Sequence, residues 1–320
     1  MSSEPVKIGL IGLGRMGQNH LRVLSLLAAA ELRWVHDFDA AHGERIGAAA
    51  SVRHVEDVAA ALDEVDAVVI ASPTTTHEQF IRLAADKLTN IFVEKPVTER
   101  LASSQAMRDL VRERGLHMQV GLIERFNPAV VQMKQLLDAS AQVVSVDFVR
   151  TNKISARITD VDVVTDLMIH DIDLALHLNG PVTAISAHGV AEGPMIDYAA
   201  ALLTHENGRF SRIQASRITD KKMRSIQATC KDMFIDCELL RKEITISRHT
   251  GLEQRPGEPY RITQTEEAIE VQPREALQLE LQAFLSGCRG EPSPHAPDAE
   301  AGVAAMEVCE QVLHSILGAG

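Results

Sequence analysis

Aromatic residues are scarce in this chain, at 3% of 320 residues with a single tryptophan. A core must therefore consist mainly of Ala, Val, Leu and Ile, and the hydrophobic fraction of 45% is sufficient for one. Basic charge is also in deficit, since 32 Lys and Arg stand against 44 Asp and Glu, for a formal net charge of -12. This balance argues against nucleic acid or an anionic membrane as a partner, because both need a basic face.

Cysteines and long apolar runs are few as well. The four cysteines stand far apart without a C-x-x-C pair, which indicates neither a zinc site nor a disulfide framework and favours a reducing compartment. No run approaches the roughly eighteen apolar residues of a membrane span, and the N-terminal residues lack the pattern of a signal peptide. We therefore expect a cytoplasmic protein.

The first part of the chain alternates short apolar runs with helical patterns. The predicted strands are Val6–Ile11, Leu32–His36, Ala67–Ala71, Ile91–Val93 and His117–Val120. The predicted helices are Met16–Ala29, Ala41–Ala50, Glu56–Leu62, His77–Lys87 and Glu99–Arg114. This alternation indicates βαβ units in a doubly wound parallel sheet, a Rossmann domain that we expect over residues 1–124. Such sheets bind ligands beyond the carboxyl ends of their strands.

After Pro128 the pattern changes to consecutive strands. The predicted helices are Ala129–Leu137, Asp166–Leu178, Arg274–Gly287 and Asp298–Leu317. The predicted strands are Val143–Arg150, Val182–Val190, Tyr198–Thr204, Phe210–Ser216, Ser225–Thr229, Met233–Cys237 and Glu243–Ser247, followed by a loop at Gly251–Pro259. The pattern predicts an α+β domain over residues 125–320, with a mostly antiparallel open sheet and helices on one face. The uncovered face of such a sheet favours a homodimer or homotetramer.

A glycine motif stands between the first predicted strand and the first predicted helix, in the sequence Gly12-Leu-Gly14-Arg-Met-Gly17. Gly12 permits a tight turn, Gly14 lets the backbone approach a pyrophosphate, and Gly17 lets helix and strand pack closely. The phosphates then face backbone N–H groups at the positive end of a helix dipole. The motif predicts a cofactor site that includes Gly12, Gly14, Arg15, Met16 and Gly17.

Asp37 ends the second predicted strand, about twenty residues after Gly17, where dinucleotide-binding domains carry an acidic residue. Its carboxylate can accept hydrogen bonds from both adenosine ribose hydroxyls and would repel a 2′-phosphate. No Arg or Lys lies between Val35 and Gly43 to receive such a phosphate. The sequence therefore favours NAD over NADP.

Glu94-Lys95-Pro96 follows the strand Ile91–Val93, at the end of the sheet where the nicotinamide ring should lie. A lysine just past a buried strand can reach a substrate hydroxyl and stabilise developing alkoxide charge as hydride leaves. We therefore count Glu94 and Lys95 as cofactor-binding residues and Lys95 as a catalytic one. A surface lysine at a strand end is the ordinary alternative.

Asp166 and His170 are four residues apart and so share one face of a helix that is apolar nearly all round. A histidine is suited to take a hydroxyl proton near neutral pH, and a nearby carboxylate can orient the substrate or the imidazole. A capping Asp166 with a hydrogen-bonded core histidine explains the pattern equally well. Asp173 and His177 continue this face, but ligands spaced along one helix give poor coordination geometry, so no metal is expected.

Together these motifs, in this order and over essentially the whole chain, resemble the Gfo/Idh/MocA family, the group of glucose–fructose oxidoreductase and inositol dehydrogenase. The resemblance implies that Lys95, Asp166 and His170 are catalytic, with His170 as the base. Pro73-Thr-Thr-Thr-His77 looks like the family's P-x-x-x-H loop beside the nicotinamide, although a histidine that begins a helix is also ordinary. The cofactor-binding residues implied here are Ser72, Pro73, Thr74 and His77.

Two further segments, 121–128 and 166–173, are similar to the nucleotide-sugar branch of that family. This resemblance implies oxidation of the 3-OH of UDP-N-acetylglucosamine, giving a ketone for a following aminotransferase in the synthesis of a lipid A amino sugar. The substrate-binding residues that it implies are Arg125, Asn127, Arg150, Lys153, Arg157, Asp166 and His170. Arginine pairs well with phosphate, but solvated surface charge explains these cations too, and residues 151–156 lack the Gly and Pro that relatives often carry.

Two other functions remain open. An enzyme of the same fold could act on inositol, another polyol or a uronic-acid nucleotide sugar. A non-catalytic NAD-sensing regulator could also keep the fold, but it has no use for a base and an alkoxide stabiliser, so Lys95, Asp166 and His170 speak against it. NAD reduction measured across UDP-sugars and polyols separates these functions.

Overall fold

The computed structural model describes residues 4–140, 142–153, 161–191, 195–253 and 261–318. The chain divides into two compact units, residues 1–126 with 275–306 and residues 127–274 with 307–320. The sequence-based division at residue 125 differs from these units because the segment 275–306 belongs to the first of them. Within the described ranges, no helix combines the length and the apolar character needed to cross a bilayer.

The first unit is built on a six-stranded sheet. Its strands are β1 (Val6–Ile11), β2 (Ala30–His36), β3 (Arg53–His54), β4 (Ala67–Ile70), β5 (Asn90–Glu94) and β6 (His117–Gly121). They alternate with the helices α1 (Arg15–Leu26), α2 (Ala40–Ala49), α3 (Val58–Ala61), α4 (His77–Ala85) and α5 (Leu101–Arg114). All pairings are parallel, in the order β3-β2-β1-β4-β5-β6, which confirms the predicted Rossmann sheet. The order reverses between β1 and β4, where sheets of this kind bind ligands.

Hydrophobic clusters cover both faces of this sheet. All four residues of β4 are buried, which explains why its sequence is a continuous apolar run and not an alternating one. On one face, Ile81 of α4 and Met107 of α5 pack against Val68 and Ile91. On the other face, residues of α1 such as Leu24 belong to the hydrophobic cluster that covers the strands. The strand ends that carry the site are therefore held by packing on both sides.

The helix α8 (Ala276–Cys288) explains why the C-terminal segment belongs with the first unit. Its residues Leu281 and Phe284 join the hydrophobic cluster that includes Phe92 of β5. The Phe284 ring also stacks on His117, with centroids 5.6 Å apart, and burial lowers the pKa of His117 below its ordinary value. The sequence analysis assigned this helix to the second domain because a helical pattern does not reveal which sheet the helix packs on.

The second unit contains an eight-stranded sheet. Its strands are β7 (Val143–Thr151), β8 (Val182–Ala191), β9 (Ile196–His205), β10 (Phe210–Ser216), β11 (Met223–Cys230), β12 (Phe234–Glu238), β13 (Glu243–Glu253) and β14 (Arg261–Ile269). The order is β14-β13-β12-β11-β7-β10-β9-β8, and only the β7–β10 pair among these is parallel. The remaining α-helices of the described residues are α6 (Pro128–Ala139), α7 (Ile169–Asn179) and α9 (Ala299–Leu317). The mostly antiparallel sheet confirms the predicted fold class.

One face of this sheet is buried and the other is open. A row of aligned residues across four strands, Ile226, Phe148, Ile213 and Ala201, is almost fully buried. The adjacent row points the opposite way and includes Arg212 and the 47% exposed Leu202. The helices α6 and α7 contact strands of the sheet. Buried and exposed rows of side chains alternate across the sheet, as expected when helices cover only one of its faces.

Neither β3 nor β14 was predicted from the sequence, and β13 extends to Glu253, beyond its predicted end at Ser247. The strand β3 has two residues at a sheet edge, too few to show a period of two. The edge strand β14 carries Glu266 and Glu267, and charges of this kind protect edges while weakening the strand signal. Of the predicted loop at Gly251–Pro259, residues 251–253 belong to β13, and the rest lies outside the described residues.

Candidate cofactor and catalytic site

The glycine loop between β1 and α1 lies at the switch point, and its three glycines are under different constraints. Gly12 has a φ of +91°, and a methyl group on it would lie 2.5 Å from the backbone of Ser72. A methyl group on Gly17 would lie 1.8 Å from the carbonyl oxygen of Gly12. Among the described residues, nothing lies within 4 Å of the same position on Gly14. Gly12 and Gly17 therefore build the loop, whereas Gly14 leaves open space beside it.

The peptide groups of Leu13 are held from several directions. The Leu13 N–H donates to Oδ2 of Asp37 at 2.7 Å. Its carbonyl oxygen accepts from Nε2 of Gln18 at 2.9 Å and from Nε2 of His42 at 3.0 Å. The second oxygen of Asp37 accepts from the backbone of Asp39 at 3.1 Å. The half-buried Asp37 carboxylate is thus tied to the loop and keeps lone pairs that can accept further hydrogen bonds.

A cavity of about 360 Å³ lies over this loop. The predicted cofactor residues that line it are Gly12, Gly14, Arg15, Met16, Asp37, Ser72 and Pro73. Within the described part of the chain, no side chain caps α1 at Gly14, so the first N–H groups of the helix can face an anion. Open space, backbone donors and a carboxylate acceptor fit the pyrophosphate and ribose of NAD.

A second cavity, of about 460 Å³, shares His36, Asp37 and Phe38 with the first. The rings of His36, Phe38 and Phe80 pack with centroids between 5.7 and 6.1 Å apart, and Phe38 is 64% exposed. An aromatic wall beside Asp37 is suited to stacking a flat heteroaromatic ring. These aromatic residues were not predicted as part of the site, although Phe38 directly after Asp37 stands out in a chain so poor in aromatics.

Lys95 follows β5 directly and is half-buried. The preceding Glu94 contacts the buried His20, and the following Pro96 accepts a hydrogen bond from the buried His77. His77 begins α4, as the ordinary interpretation of that histidine also predicted. Five of the predicted cofactor residues do not line the cavity over the glycine loop, namely Gly17, Thr74, His77, Glu94 and Lys95.

In the second unit, Asp166 lies in a π-helical turn, Val164–Met168, that runs directly into α7. Turns of this kind are rare and occur often at functional sites. Oδ2 of Asp166 accepts a hydrogen bond from Arg217 at 3.1 Å, and the half-buried His170 is the second residue of α7. Among the described residues, no group of three His, Cys, Asp or Glu is placed to hold a metal ion.

Arg217 is a residue that the sequence analysis did not identify. It follows β10 directly, and its side chain is only 4% exposed. Besides Asp166, its guanidinium contacts the carbonyl oxygen of Asp162 at 3.0 Å and that of Val161. No motif marks this position, because the contact joins segments about fifty residues apart in the sequence.

Two of the predicted substrate residues have structural partners. Arg150 is buried and forms a bidentate pair with Asp171, with both N–O distances at 2.8 Å. Asn127 is the N-cap of α6, where its Oδ1 accepts from the backbone of Ala129 at 3.1 Å. These contacts give both side chains a structural role, Arg150 in joining β7 to α7 and Asn127 in capping α6.

The other predicted substrate cations have different surroundings. The Lys153 side chain is 73% exposed and forms an ion pair with Asp220, which is exposed as well. Arg125 is half-buried in a 3₁₀ turn, Ile123–Phe126, of the first unit. Arg157 lies outside the described residues. Lys153 is therefore the most accessible of the predicted cations that the structure describes.

A Rossmann sheet with this glycine loop and carboxylate, joined to an antiparallel second unit, defines a class of two-domain dehydrogenases. The oxidoreductase family with an NAD-binding Rossmann fold, Gfo/Idh/MocA, matches residues 6–122, and the C-terminal domain of the same family matches residues 145–235. The chain belongs to the Gfo/Idh/MocA family. It is an NAD-dependent dehydrogenase, as the sequence motifs predicted.

Individual relatives of the chain act on two kinds of substrate. The chain is 30% identical over 283 residues to UDP-N-acetylglucosamine 3-dehydrogenase from Acidithiobacillus ferrooxidans, over 88% of each chain. It is 31% identical to the NAD-dependent scyllo-inositol 2-dehydrogenase of Bacillus subtilis, over 66% of this chain and 67% of the other. The solved structure of the Acidithiobacillus enzyme superposes with a TM-score of 0.87 at 27% identity, over 98% of both chains.

Proposed function

We propose that this chain oxidises a sugar ring hydroxyl to a ketone, and that the hydroxyl is the 3-OH of UDP-N-acetylglucosamine. The identity of 30% over 88% of the chain with an enzyme of that name supports the nucleotide sugar as substrate. The observation that carries the chemistry is the Asp166–His170 pair. Arg217 holds the Asp166 carboxylate in the turn that runs into α7, and His170 is the second residue of α7. A chain that only sensed NAD would not need this pair.

The residues of the chain divide the reaction between them. NAD would supply the hydride acceptor; the Gly12–Gly17 loop would hold its pyrophosphate, Asp37 its ribose and Phe38 its adenine. His170 accepts the proton of the sugar hydroxyl as general base. The ammonium of Lys95 stabilises negative charge that develops on the oxygen, and Asp166 orients the sugar or the imidazole. Proton and hydride therefore leave the same CH–OH group to different acceptors.

A nucleotide sugar also needs a cation for its diphosphate. Lys153 is exposed, and its partner Asp220 is exposed too, so phosphate can replace that carboxylate at little cost. The product is a 3-keto nucleotide sugar, whose carbonyl suits a following aminotransferase, as in the synthesis of a lipid A amino sugar. We place this chemistry in the cytoplasm, where NAD and nucleotide sugars are available together.

The open face of the eight-stranded sheet supports a homo-oligomer. Phe210 and Phe234 lie in one aligned row across the sheet and are 42% and 38% exposed, and Leu202 lies in the neighbouring row. Charged residues are interspersed, as in the exposed Arg212 paired with Asp147. A second copy of the chain would cover this mixed surface and bury its apolar side chains.

A second candidate is a polyol dehydrogenase, because the chain is 31% identical to an enzyme named for scyllo-inositol. A substrate panel with NAD and NADP separates the two candidates. We expect NADH formation with UDP-N-acetylglucosamine, none with its 3-deoxy analogue, and much slower reaction with inositol or with NADP. Trapping the product with borodeuteride should then place deuterium at C3 of the sugar.

Other outcomes of the panel identify other functions. Faster turnover of inositol than of any UDP-sugar would transfer the assignment to the polyol dehydrogenase. Turnover of the 3-deoxy analogue would show that another carbon is oxidised. NAD binding without reduction by any sugar or polyol would favour the sensor and contradict the enzyme.

A further inference from the structure

Lys95 lies between two residues that are each bound by a buried histidine from a different helix. His20 of α1 contacts Glu94, directly before Lys95, and His77 of α4 contacts Pro96, directly after it. His20 is 0% exposed and His77 is 1% exposed. Neither histidine lines the cavity over the glycine loop. Their burial and their contacts therefore need a reason other than direct contact with a ligand in that cavity.

The His20 contact ties a helix to the backbone of Lys95. Nε2 of His20 donates to Oε1 of Glu94 at 2.7 Å, and Oε2 of Glu94 accepts the backbone N–H of Lys95 at 3.3 Å. The His20 ring packs edge-on against Phe92, with centroids 5.2 Å apart. On the other side, a methyl group on Gly121 would lie only 2.8 Å from Oε2 of Glu94. The carboxylate therefore has little room to move.

The His77 contact ties two loops together. Its Nδ1 lies 3.0 Å from the carbonyl oxygen of Pro96, and its Nε2 lies 3.0 Å from that of Ser72. Both partners are acceptors, so each contact is a hydrogen bond only when the facing nitrogen carries a proton. Because both ring nitrogens lie against backbone carbonyl oxygens, His77 is placed to bind the backbone and not a ligand. It joins the loop after β4 to the segment that carries Lys95.

We propose that His20 and His77 are positioning residues, which hold the backbone on both sides of Lys95 so that its ammonium meets the reacting oxygen. This inference rests on the proposed role of Lys95 in the reaction. A lysine side chain is long and flexible, so its reach toward one atom depends on how firmly its backbone is held. A displacement of about 1 Å at a reacting group can lower a rate about 100-fold.

Paired variants at each histidine test the inference. His77→Phe removes the ring nitrogens and their hydrogen bonding but keeps a ring, while His77→Gln retains a donor. His20→Leu removes the donor to Glu94, while His20→Gln retains one. We expect His77→Phe and His20→Leu to lower kcat about 10- to 100-fold with KM for NAD within about threefold. The glutamine variants should recover a large part of kcat. Rates are normalised to the fraction of chains that bind NAD.

His205 provides the matched control. It is a buried histidine of the second unit whose nitrogens bond to the carbonyl oxygen of Gly180 and to Ser211. His205→Phe should lower the melting temperature with kcat per NAD-binding chain unchanged. If the variants at His20 and His77 behave in the same way, their role is only structural and the inference is wrong.

A double variant separates this inference from the proposed function. If the histidines act through Lys95, adding His77→Phe to Lys95→Ala should lower the residual single-turnover rate no further. An additional 10-fold loss in the double variant would mean that His77 acts independently of Lys95, which overturns the inference. Full activity of Lys95→Ala alone would instead contradict the proposed role of Lys95.

Discussion

At the scale of single residues, two glycines of the same loop should respond in opposite ways to the same substitution. Gly14→Ala adds a methyl group to open space at a φ of -63°, so the fold should tolerate it. The methyl group would face the bound pyrophosphate, and we expect NAD affinity to fall roughly tenfold, equivalent to about 1.4 kcal/mol. Binding titrations and melting temperatures of the variant measure both effects.

Gly17→Ala is the counterpart of that variant. Its methyl group would lie 1.8 Å from the Gly12 carbonyl oxygen, so the backbone must shift, and we expect about 1–3 kcal/mol of destabilisation. The loss should appear as a lower melting temperature in the absence of NAD. Equal melting temperatures for the two variants would contradict the different constraints on these glycines.

Residue positions were predictable from the sequence where a short backbone motif specifies them. Gly12, Gly17 and Asp37 occupy the places that the glycine spacing and the strand end predicted, because each depends on neighbours close in the sequence. Arg150 shows where this reasoning ends. Its cationic side chain looked suited to phosphate, but in the structure it forms an ion pair with Asp171 of α7. This pair forms only when β7 and α7 pack together, so the sequence alone does not show it.

At the scale of elements, Arg217 connects the end of β10 with the π-helical turn that carries Asp166. Arg217→Met removes hydrogen bonds to two carbonyl oxygens and to the carboxylate. We expect a loss of about 1–3 kcal/mol in the free energy of unfolding, because the acceptors lose their partner. The kcat should fall about tenfold or more, since Asp166 loses its orientation. Chemical denaturation and steady-state kinetics measure the two effects.

Arg212 of β10 supplies the control. It is 70% exposed and pairs with Asp147, so Arg212→Met should change stability by less than about 1 kcal/mol and leave kcat unchanged. In an Asp166→Asn background, Arg217→Met should have little further effect on kcat. If Arg217→Met lowers stability but leaves kcat intact in the wild-type background, Arg217 does not position Asp166.

Most elements followed from the sequence, and each exception has its own physical reason. Apolar patterning predicted β1 and β10 to the residue, because β1 is an almost continuous buried run and β10 nearly alternates exposed and buried residues. It missed β14, a charged edge strand, and gave no sign of the π-helical turn, which replaces an α-helical turn without changing composition. The packing of α8 on the first sheet was also missed, because the pattern identifies a helix but not its partner.

At the scale of the whole molecule, the open face of the second sheet should determine oligomeric state. We expect the wild-type chain to sediment as a dimer or tetramer at micromolar concentration. Phe210→Asp combined with Leu202→Asp should shift it to monomer, since the charges would be buried in the interface. Leu26→Asp, at a 75% exposed apolar residue of α1, should leave the assembly intact. A monomeric wild-type chain would contradict the proposal.

We assign roles in the oxidation of the sugar hydroxyl to both Lys95 and His170. The most direct test measures NADH formation from UDP-N-acetylglucosamine by Lys95→Ala and His170→Ala, together with their affinity for NAD. The predicted result is a loss of turnover of about 100-fold or more in each variant, with the NAD dissociation constant changed less than about threefold. Turnover within about tenfold of the wild-type rate in either variant would contradict the account.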